Sequence, residues 1–276
     1  MMGPSSAPGS KPSLTDSGTA ETRGFSFQPL RGDLLGHVSP IITAVMVDAG
    51  FFVKRSRALF GVLSPETAAK RLHRIALEHL HDGRGRRTAR LYRIFVYDAS
   101  PAVWMGHTPL TRRAVDLANT PVAGWRRDFH QALRGLRKVA LRLGEVPTSH
   151  AHWRLVPKAL KNLINGKRQW ADLTDEDFKL DLRQKGVDMR LGLDIASLAY
   201  KKQVSQIVLV SGDADFVPAA KLARREGIDF VLDPMWASIR PDLYEHIDGL
   251  RSVCSRPGQR SAGSNVEAAW SDSVES

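Results

Sequence analysis

One cysteine, Cys254, in 276 residues leaves no partner for an intramolecular disulfide and excludes a metal site built on a cysteine cluster. That scarcity fits a reducing compartment. Long apolar runs are also missing: the longest, IITAVMV at 41–47, falls well short of the roughly 18 residues that a membrane span needs. The opening residues are rich in Ser, Pro and Gly without a charged start followed by an apolar run, which argues against a secretory signal. A soluble, cytoplasmic protein is expected. Large apolar residues are sparse at both ends, so 1–38 and 251–276 are expected to be disordered tails around one domain at 39–250. Acidic residues are outnumbered, 29 against 40 Lys and Arg, for a net charge of +11. The surplus is local. Residues 84–168 carry 18 basic and 4 acidic side chains, while both tails are neutral. Such a basic stretch beside an aspartate-bearing region points to a polyanion held near a cation, because Lys and Arg neutralise phosphates and carboxylates hold hard metals.

What is present is a 42% hydrophobic composition, enough for a sizeable core, arranged as short apolar runs alternating with helical patterns. ITAVMVDAG (42–50), RLYRIFVYDAS (90–100), VALRLGEV (139–146), QIVLVSGD (206–213) and IDFVLD (228–233) read as strands. SPETAAKRLHRIALEHL (64–80) reads as a helix with Ser64 as N-cap and Pro65 at its first position. WRRDFHQALRGLRK, KGVDMRLGLDIASLAYKK (185–202) and FVPAAKLARREG, stopped by Gly227, read as further helices. Residues 147–180 show no clean period. Strands separated by helices imply a parallel sheet covered on both faces, which binds ligands outside the carboxyl ends of its strands.

Asp48, Asp98 and Asp213 stand at or near the ends of three of those strands. Asp215 follows Asp213 by two residues, and Asp188 opens the helix at 185–202. Taken alone, Asp188 reads as a helix cap, Asp215 as the cap of the following helix, and Asp98 ahead of Ser-Pro as an ordinary turn residue. Taken together, Asp48, Asp188, Asp213 and Asp215 read as a cluster. Each close pair of carboxylates at about 4 Å repels by roughly 4 kcal/mol at an effective dielectric of 20, so a cation must sit among them or some must be protonated. Oxygen ligands alone select Mg2+ or Mn2+. The histidines at 150 and 152 (HAH) and at 79 and 81 (EHLH) do not form a transition-metal set, and the HAH pair reads as surface residues. A carboxylate-held divalent ion next to a basic region is the chemistry of phosphodiester hydrolysis.

The segments AVMVDAG, KGVDMRLGLDIASLAY and IVLVSGDADFVPAAKLARREG, in that order across about residues 42–250, resemble the NYN-domain proteins, specifically the LabA-like branch of the PIN-like nuclease superfamily. The resemblance implies a PIN-like α/β/α three-layer sandwich with a mainly parallel central sheet and metal-dependent ribonuclease chemistry. It maps Asp48, Asp188, Asp213 and Asp215 onto the acidic cluster as catalytic and metal-binding positions, with Asp194 as a further acidic position. Asp194 lies about 120° around the helix from Asp188 and is therefore expected to support the ligands. Ser211 and Gly212 are expected to leave the strand exit open to a phosphate. Many members follow the first aspartate with a glycine and an asparagine two residues on, whereas here the run is Asp48-Ala49-Gly50-Phe51-Phe52, with no amide to orient a ligand. The basic stretch within about 100–180 is long for the family and reads as an insertion.

RNA is the expected partner ahead of DNA, with Lys185 and Arg183 as its contacts and Arg84, Arg86 and Arg87 as a further basic cluster. Trp104, Trp125, Trp153 and Trp170 are interspersed with the basic residues and are candidates either for stacking on bases or for the core. Two other functions fit parts of the pattern. A haloacid-dehalogenase-like phosphatase also uses Asp-x-Asp after a strand, but there the pair closes the first strand directly. A non-catalytic RNA-binding or regulatory protein would keep the acidic pocket without turnover.

Overall fold

The computed structural model describes residues 40–256, so the expected tail at 1–38 and most of that at 251–276 lie outside the described residues. β1 (Ile41–Asp48) is buried from Thr43 to Val47. It stops two residues earlier than its sequence pattern implies, because the Asp48 carboxylate accepts the N–H of Phe51 and starts α1 (Ala49–Phe60). In α2 (Pro65–Glu78) the Ser64 hydroxyl accepts from Thr67 N at 3.2 Å, which is the cap that the Ser-Pro start implies. After β2 (Ala89–Ala99) the chain forms a small hairpin of β3 (Met105–His107) and β4 (Ala114–Asp116). α3 (Pro121–Arg134) begins four residues ahead of the expected Trp125, at Thr120 as cap and Pro121 as first residue. β5 (Val139–Gly144) follows, then β6 (His152–Leu155), α4 (Pro157–Ile164) and β7 (Phe178–Asp181). β6 and β7 pair antiparallel and close off the stretch that showed no period. α5 (Val187–Tyr200), β8 (Gln206–Val210), α6 (Val217–Arg225), β9 (Asp229–Asp233), the single-turn α7 (Pro241–Tyr244) and β10 (Gly249–Leu250) complete the chain.

The main sheet has the order β10-β9-β8-β1-β2-β5, and every pairing in it is parallel. Helices cover both faces, as the PIN-like three-layer sandwich requires. Alternation along the strands divides the core. Ala44, Met46, Phe95, Tyr97, Ile207 and Leu209 pack with Leu191, Ile195 and Leu198 of α5 and with α6. Val45, Val47, Ile94, Val96, Val208 and Val210 pack with Phe52 of α1, Leu72 and Ile75 of α2, and Phe129 and Leu133 of α3. Each fully buried aliphatic or aromatic side chain in these layers contributes about 1.5–3 kcal/mol relative to exposure. The two layers therefore fix which strand faces which helix, and a one-residue slip would expose a whole set.

The chain stays packed beyond residue 250. Val253 and Cys254 pack against the second layer, Trp236 N–H donates to Ser252 Oγ at 2.9 Å, and Arg251 donates to His81 O at 2.6 Å. No described helix is long and apolar enough to cross a membrane.

Candidate active site

Strand alternation decides which strand-end carboxylates face which layer, and the sequence pattern alone did not separate them. Asp48 is in phase with Ala44 and Met46, on the α5 side. Asp98 is in phase with Ile94 and Val96, on the α3 side, and α3 neutralises it: Arg126 Nη1 donates to it at 2.8 Å and His130 Nε2 lies 2.7 Å away. Asp98 is 4% exposed and also accepts the N–H of Ala99. It is a buried ion-paired anchor between β2 and α3, in place of the turn residue its Ser-Pro context implies. The same phase rule accounts for Asp233 at the end of β9, which sequence reasoning missed. It is fully buried, in phase with Val231, and pairs with His79 Nε2 of α2 at 2.9 Å while accepting Met235 N–H at 2.7 Å. His79, which reads from EHLH only as no part of a transition-metal set, is thus a core residue. A strand ending in Asp-Pro was the available signal.

Asp48, Asp188, Asp213 and Asp215 have no base of their own: among the described residues none of the four lies within ion-pair distance of Lys, Arg or His. They interact with one another instead. Burial raises the pKa of Asp48 above the ordinary carboxyl value, opposed by the N–H of Phe51 and reinforced by repulsion from Asp188. Asp188 is raised by partial burial and then by repulsion from Asp213 and Asp215. Residues from β1, α5 and the loop after β8, distant in sequence, are therefore brought to one edge of the sheet. The donors are all hard oxygens. Among the described residues no group of three or more His, Cys, Asp or Glu side chains is placed to hold a metal ion. The oxygen donors at this edge are of the kind that suits a hard divalent cation held by one or two carboxylates and several waters.

Local structure holds each carboxylate. Asp188 is the second residue of α5, and Gly186 takes the N-cap position with no side chain to offer, so Asp188 is not the cap its position implies. Asp213 is the capping residue in the 213–215 pair, because its Oδ1 accepts the N–H of Asp215 at 3.0 Å and starts a short 3-10 turn at 214–216. Asp215 sits inside that turn and caps nothing, which reverses the assignment made from sequence. Ser211, fully buried, accepts the N–H of Asp213 on its hydroxyl at 3.2 Å. Gly212 does not open the strand exit to a phosphate. A Cβ there would lie 2.8 Å from Phe51 Cε2, so the missing side chain makes room for the Phe51 ring. That contact joins the loop after β8 to the start of α1, beside Asp48.

Asp194 is tied elsewhere. It accepts from the Tyr97 hydroxyl at 2.8 Å and from Arg142 Nε at 3.2 Å, linking α5 to β2 and β5. Burial and the Asp194 carboxylate together push the Tyr97 hydroxyl well above its usual pKa. The start of α5 is fixed by backbone: Lys185 N–H donates to Glu145 O at 2.8 Å and Glu145 N–H donates back at 3.1 Å. A Cβ on Gly144 would meet Lys185 O at 2.6 Å, so only glycine lets this segment cross β5 so closely. The Lys185 side chain is exposed, and Arg183, also exposed, reaches Asp181 only at 3.8 Å.

The other expected contacts separate. Arg84, Arg86 and Arg87 lie just before β2, at the amino end of the sheet, and so a strand's length of about 25 Å from the carboxyl edge. Arg86 is paired with Asp82 there. His152 Nδ1 contacts His150 O, so the two rings are not arranged as a metal pair. Trp125 stacks on Phe129 and donates to Leu63 O. Trp104, just before β3, and Trp153, in β6, pack edge to face at 6.2 Å.

Charge removal at the acidic edge gives a stability test. A carboxyl whose native pKa is raised favours folding fully below its unfolded value, and that contribution is lost as pH rises through the native value. Asp48→Asn keeps an oxygen for the Phe51 N–H and removes the charge. In EDTA at neutral pH it should melt about 2–4 °C higher than wild type, the shift given by about 1 kcal/mol in a domain of this size. The difference should vanish at pH values where carboxyls are protonated. An Asn variant that melts lower at neutral pH would mean that the Asp48 charge is compensated.

Residues 114–239 match the family model described as the NYN domain. No curated protein matches the chain significantly. Solved structures that match include the crystal structure of a protein of unknown function from Vibrio parahaemolyticus, 14% identical, with a TM-score of 0.40 and coverage of 78% of this chain and 94% of that one. The matched stretch runs from β4 to the residues just before α7 and contains Asp188, Asp213 and Asp215. Residues 114–239 are therefore similar to the NYN domain, which belongs to the PIN-like superfamily and suggests a nuclease-like, RNA-related function.

Proposed function

We propose that the protein is a metal-dependent ribonuclease of the LabA-like branch, hydrolysing RNA phosphodiester bonds at an edge formed by Asp48, Asp188, Asp213 and Asp215 with Mg2+ or Mn2+. The observation that supports this most is charge without counter-charge. Ionisation of Asp48 is opposed by Asp188, and that of Asp188 by Asp213 and Asp215, while Asp98, Asp194 and Asp233 each have a base or hydroxyl of their own. A divalent ion, when bound, supplies Lewis-acid stabilisation of charge on the phosphate and lowers the pKa of an attacking water. The chain's own part is positioning. Phe51 N–H holds one oxygen of Asp48, and the Ser211 hydroxyl and Asp215 N–H hold Asp213 and its backbone. Asp194 sets the rotation of α5, and hence the direction of Asp188, through Tyr97 and Arg142. Lys185 and Arg183, exposed just ahead of α5, offer charge to the substrate phosphates.

One observation favours a second reading, an RNA-binding protein without turnover. Where an asparagine stands in many relatives, this chain has Phe51, whose ring fills the space over Gly212 and brings no polar group to the edge. Incubating the protein with single- and double-stranded RNA and DNA in Mg2+, Mn2+ or EDTA separates the two. Cleavage of RNA only with the ion supports the ribonuclease. RNA binding with no cleavage under any ion supports the second reading, and equal cleavage of DNA overturns the substrate class.

A further inference from the structure

The tryptophans in the basic stretch sort into two groups. Trp104, Trp125 and Trp153 are committed to ring packing, and the indoles of Trp125 and Trp153 donate to Leu63 O and His107 O. Trp170 is 66% exposed and has no ring contact or hydrogen bond to its indole among the described residues. Its backbone is nevertheless held firmly. Arg168 grips Asp177 through two donors at 2.7 and 2.8 Å and also reaches Asp172 O, while the Asp172 carboxylate accepts Gln169 N–H at 2.8 Å. Asp175 in turn accepts from Leu110 N–H and the Thr111 hydroxyl, fastening this segment to the β3–β4 hairpin. A large aromatic ring kept in solvent on a braced support is costly to leave idle, because exposed tryptophans forgo the burial that they gain elsewhere in this domain.

Charge on the N-terminal side of Trp170 is of one sign, while Asp172, Asp175 and Asp177 on its C-terminal side are each engaged by Gln169, Thr111 or Arg168 and Glu176 is exposed. Between Glu145 and Asp172 there is no acidic residue. Within that interval Arg154 and Arg168 are in ion pairs with Asp181 and Asp177. Lys158, Lys161 and Lys167 are exposed and have no ion-pair partner among the described residues. Leu160 and Ile164, 46% and 75% exposed, lie on α4 between the lysines. Three free ammonium groups in the segment that leads into an exposed ring are complementary to a phosphate backbone with bases that can stack.

We infer that the segment from α4 to Trp170 is a platform for single-stranded RNA, on which Trp170 stacks an unpaired base while Lys158, Lys161 and Lys167 contact the adjoining phosphates. This rests on the reading of the protein as one that acts on RNA, and adds to it a preference for unpaired strands. A base within a duplex has both faces covered by its neighbours and offers none to the ring.

The test is anisotropy of a labelled oligouridylate, alone and as its duplex with oligoadenylate, titrated with the full chain in EDTA at fixed salt. Trp170→Ala should weaken the single strand about tenfold and leave the duplex unchanged, a loss within the range for removing one stacked ring. Trp170→Phe should retain most of the affinity, and the melting temperature should not move. Replacing the three lysines by Gln should weaken both probes and lower the salt slope on the single strand by about 2, from about 0.7 per phosphate contact. Equal affinity of Trp170→Ala and wild type, or an equal loss on both probes, overturns the platform. So does a Trp170→Ala chain whose oligomeric state changes while its RNA affinity does not, which would make the patch a protein interface. Wild type that cleaves RNA yet shows no dependence on Trp170 leaves the ribonuclease reading intact; wild type that neither binds nor cleaves RNA removes both.

Discussion

Asp213→Asn is expected to lower metal-dependent RNA cleavage more than about a hundredfold, a loss of over roughly 2.7 kcal/mol of transition-state stabilisation, with the fold unchanged. The substitution isolates charge from structure. Asn retains an oxygen to accept the Asp215 N–H, and the Ser211 hydroxyl still accepts the N–H of residue 213, so the 3-10 turn after β8 keeps its start. Asp213 is exposed, and exposed substitutions that keep such contacts usually stay within about 0.5 kcal/mol of wild-type stability. What is lost is one of the carboxylates that repel Asp188. Steady-state cleavage of labelled RNA, with thermal melts of the same preparations, separates the effects. Full activity would remove Asp213 from the chemistry, and a large fall in melting temperature would give it a structural role.

The opposite pattern is expected at Asp98, the strand-end aspartate on the other face. Asp98→Ala leaves Arg126 and the buried His130 without the carboxylate that they share. Removing one member of a buried ionic group typically costs about 3–5 kcal/mol, since the remaining charge stays desolvated. At about 2–4 °C per kcal/mol for a domain of this size, the melting temperature should fall by about 6 °C or more. Cleavage measured well below the new midpoint should remain within a few fold of wild type. A stable Asp98→Ala protein without activity would instead move Asp98 into the reaction.

These two aspartates look alike in the sequence, each closing a β-rich run, and that likeness marks where sequence reading stops. The strands themselves were legible, since Ile94–Val96 and Ile207–Val210 are short and apolar throughout, as strands buried on both faces must be. The carboxyl-edge location of Asp48 and Asp213 followed from that. The face did not, because the last residue of a strand belongs to one layer or the other by a count of one, and strand ends are uncertain by more than one. α1 is hidden for a related reason: Asp48 serves both as strand end and as helix cap, and the strand pattern runs on through Ala49 and Gly50. Residues 147–180 resisted because β6, α4 and β7 are too short to show a period, and side-chain bonds such as Arg168 to Asp177 hold them in place. Those bonds bridge chain reversals that no local pattern announces.

The convergence of carboxylates from β1, α5 and the loop after β8 on one cation is tested most directly by Mn2+ titration of thermal stability at neutral pH, for wild type beside Asp48→Asn and Asp188→Asn. A ligand at about 100 times its dissociation constant stabilises the folded state by about 2.7 kcal/mol. Wild type should therefore melt several degrees higher with Mn2+, starting from the lowest midpoint in EDTA, and both variants should show little or no rise. Equal rises in all three proteins, or none in wild type, would contradict a shared site at this edge of the sheet.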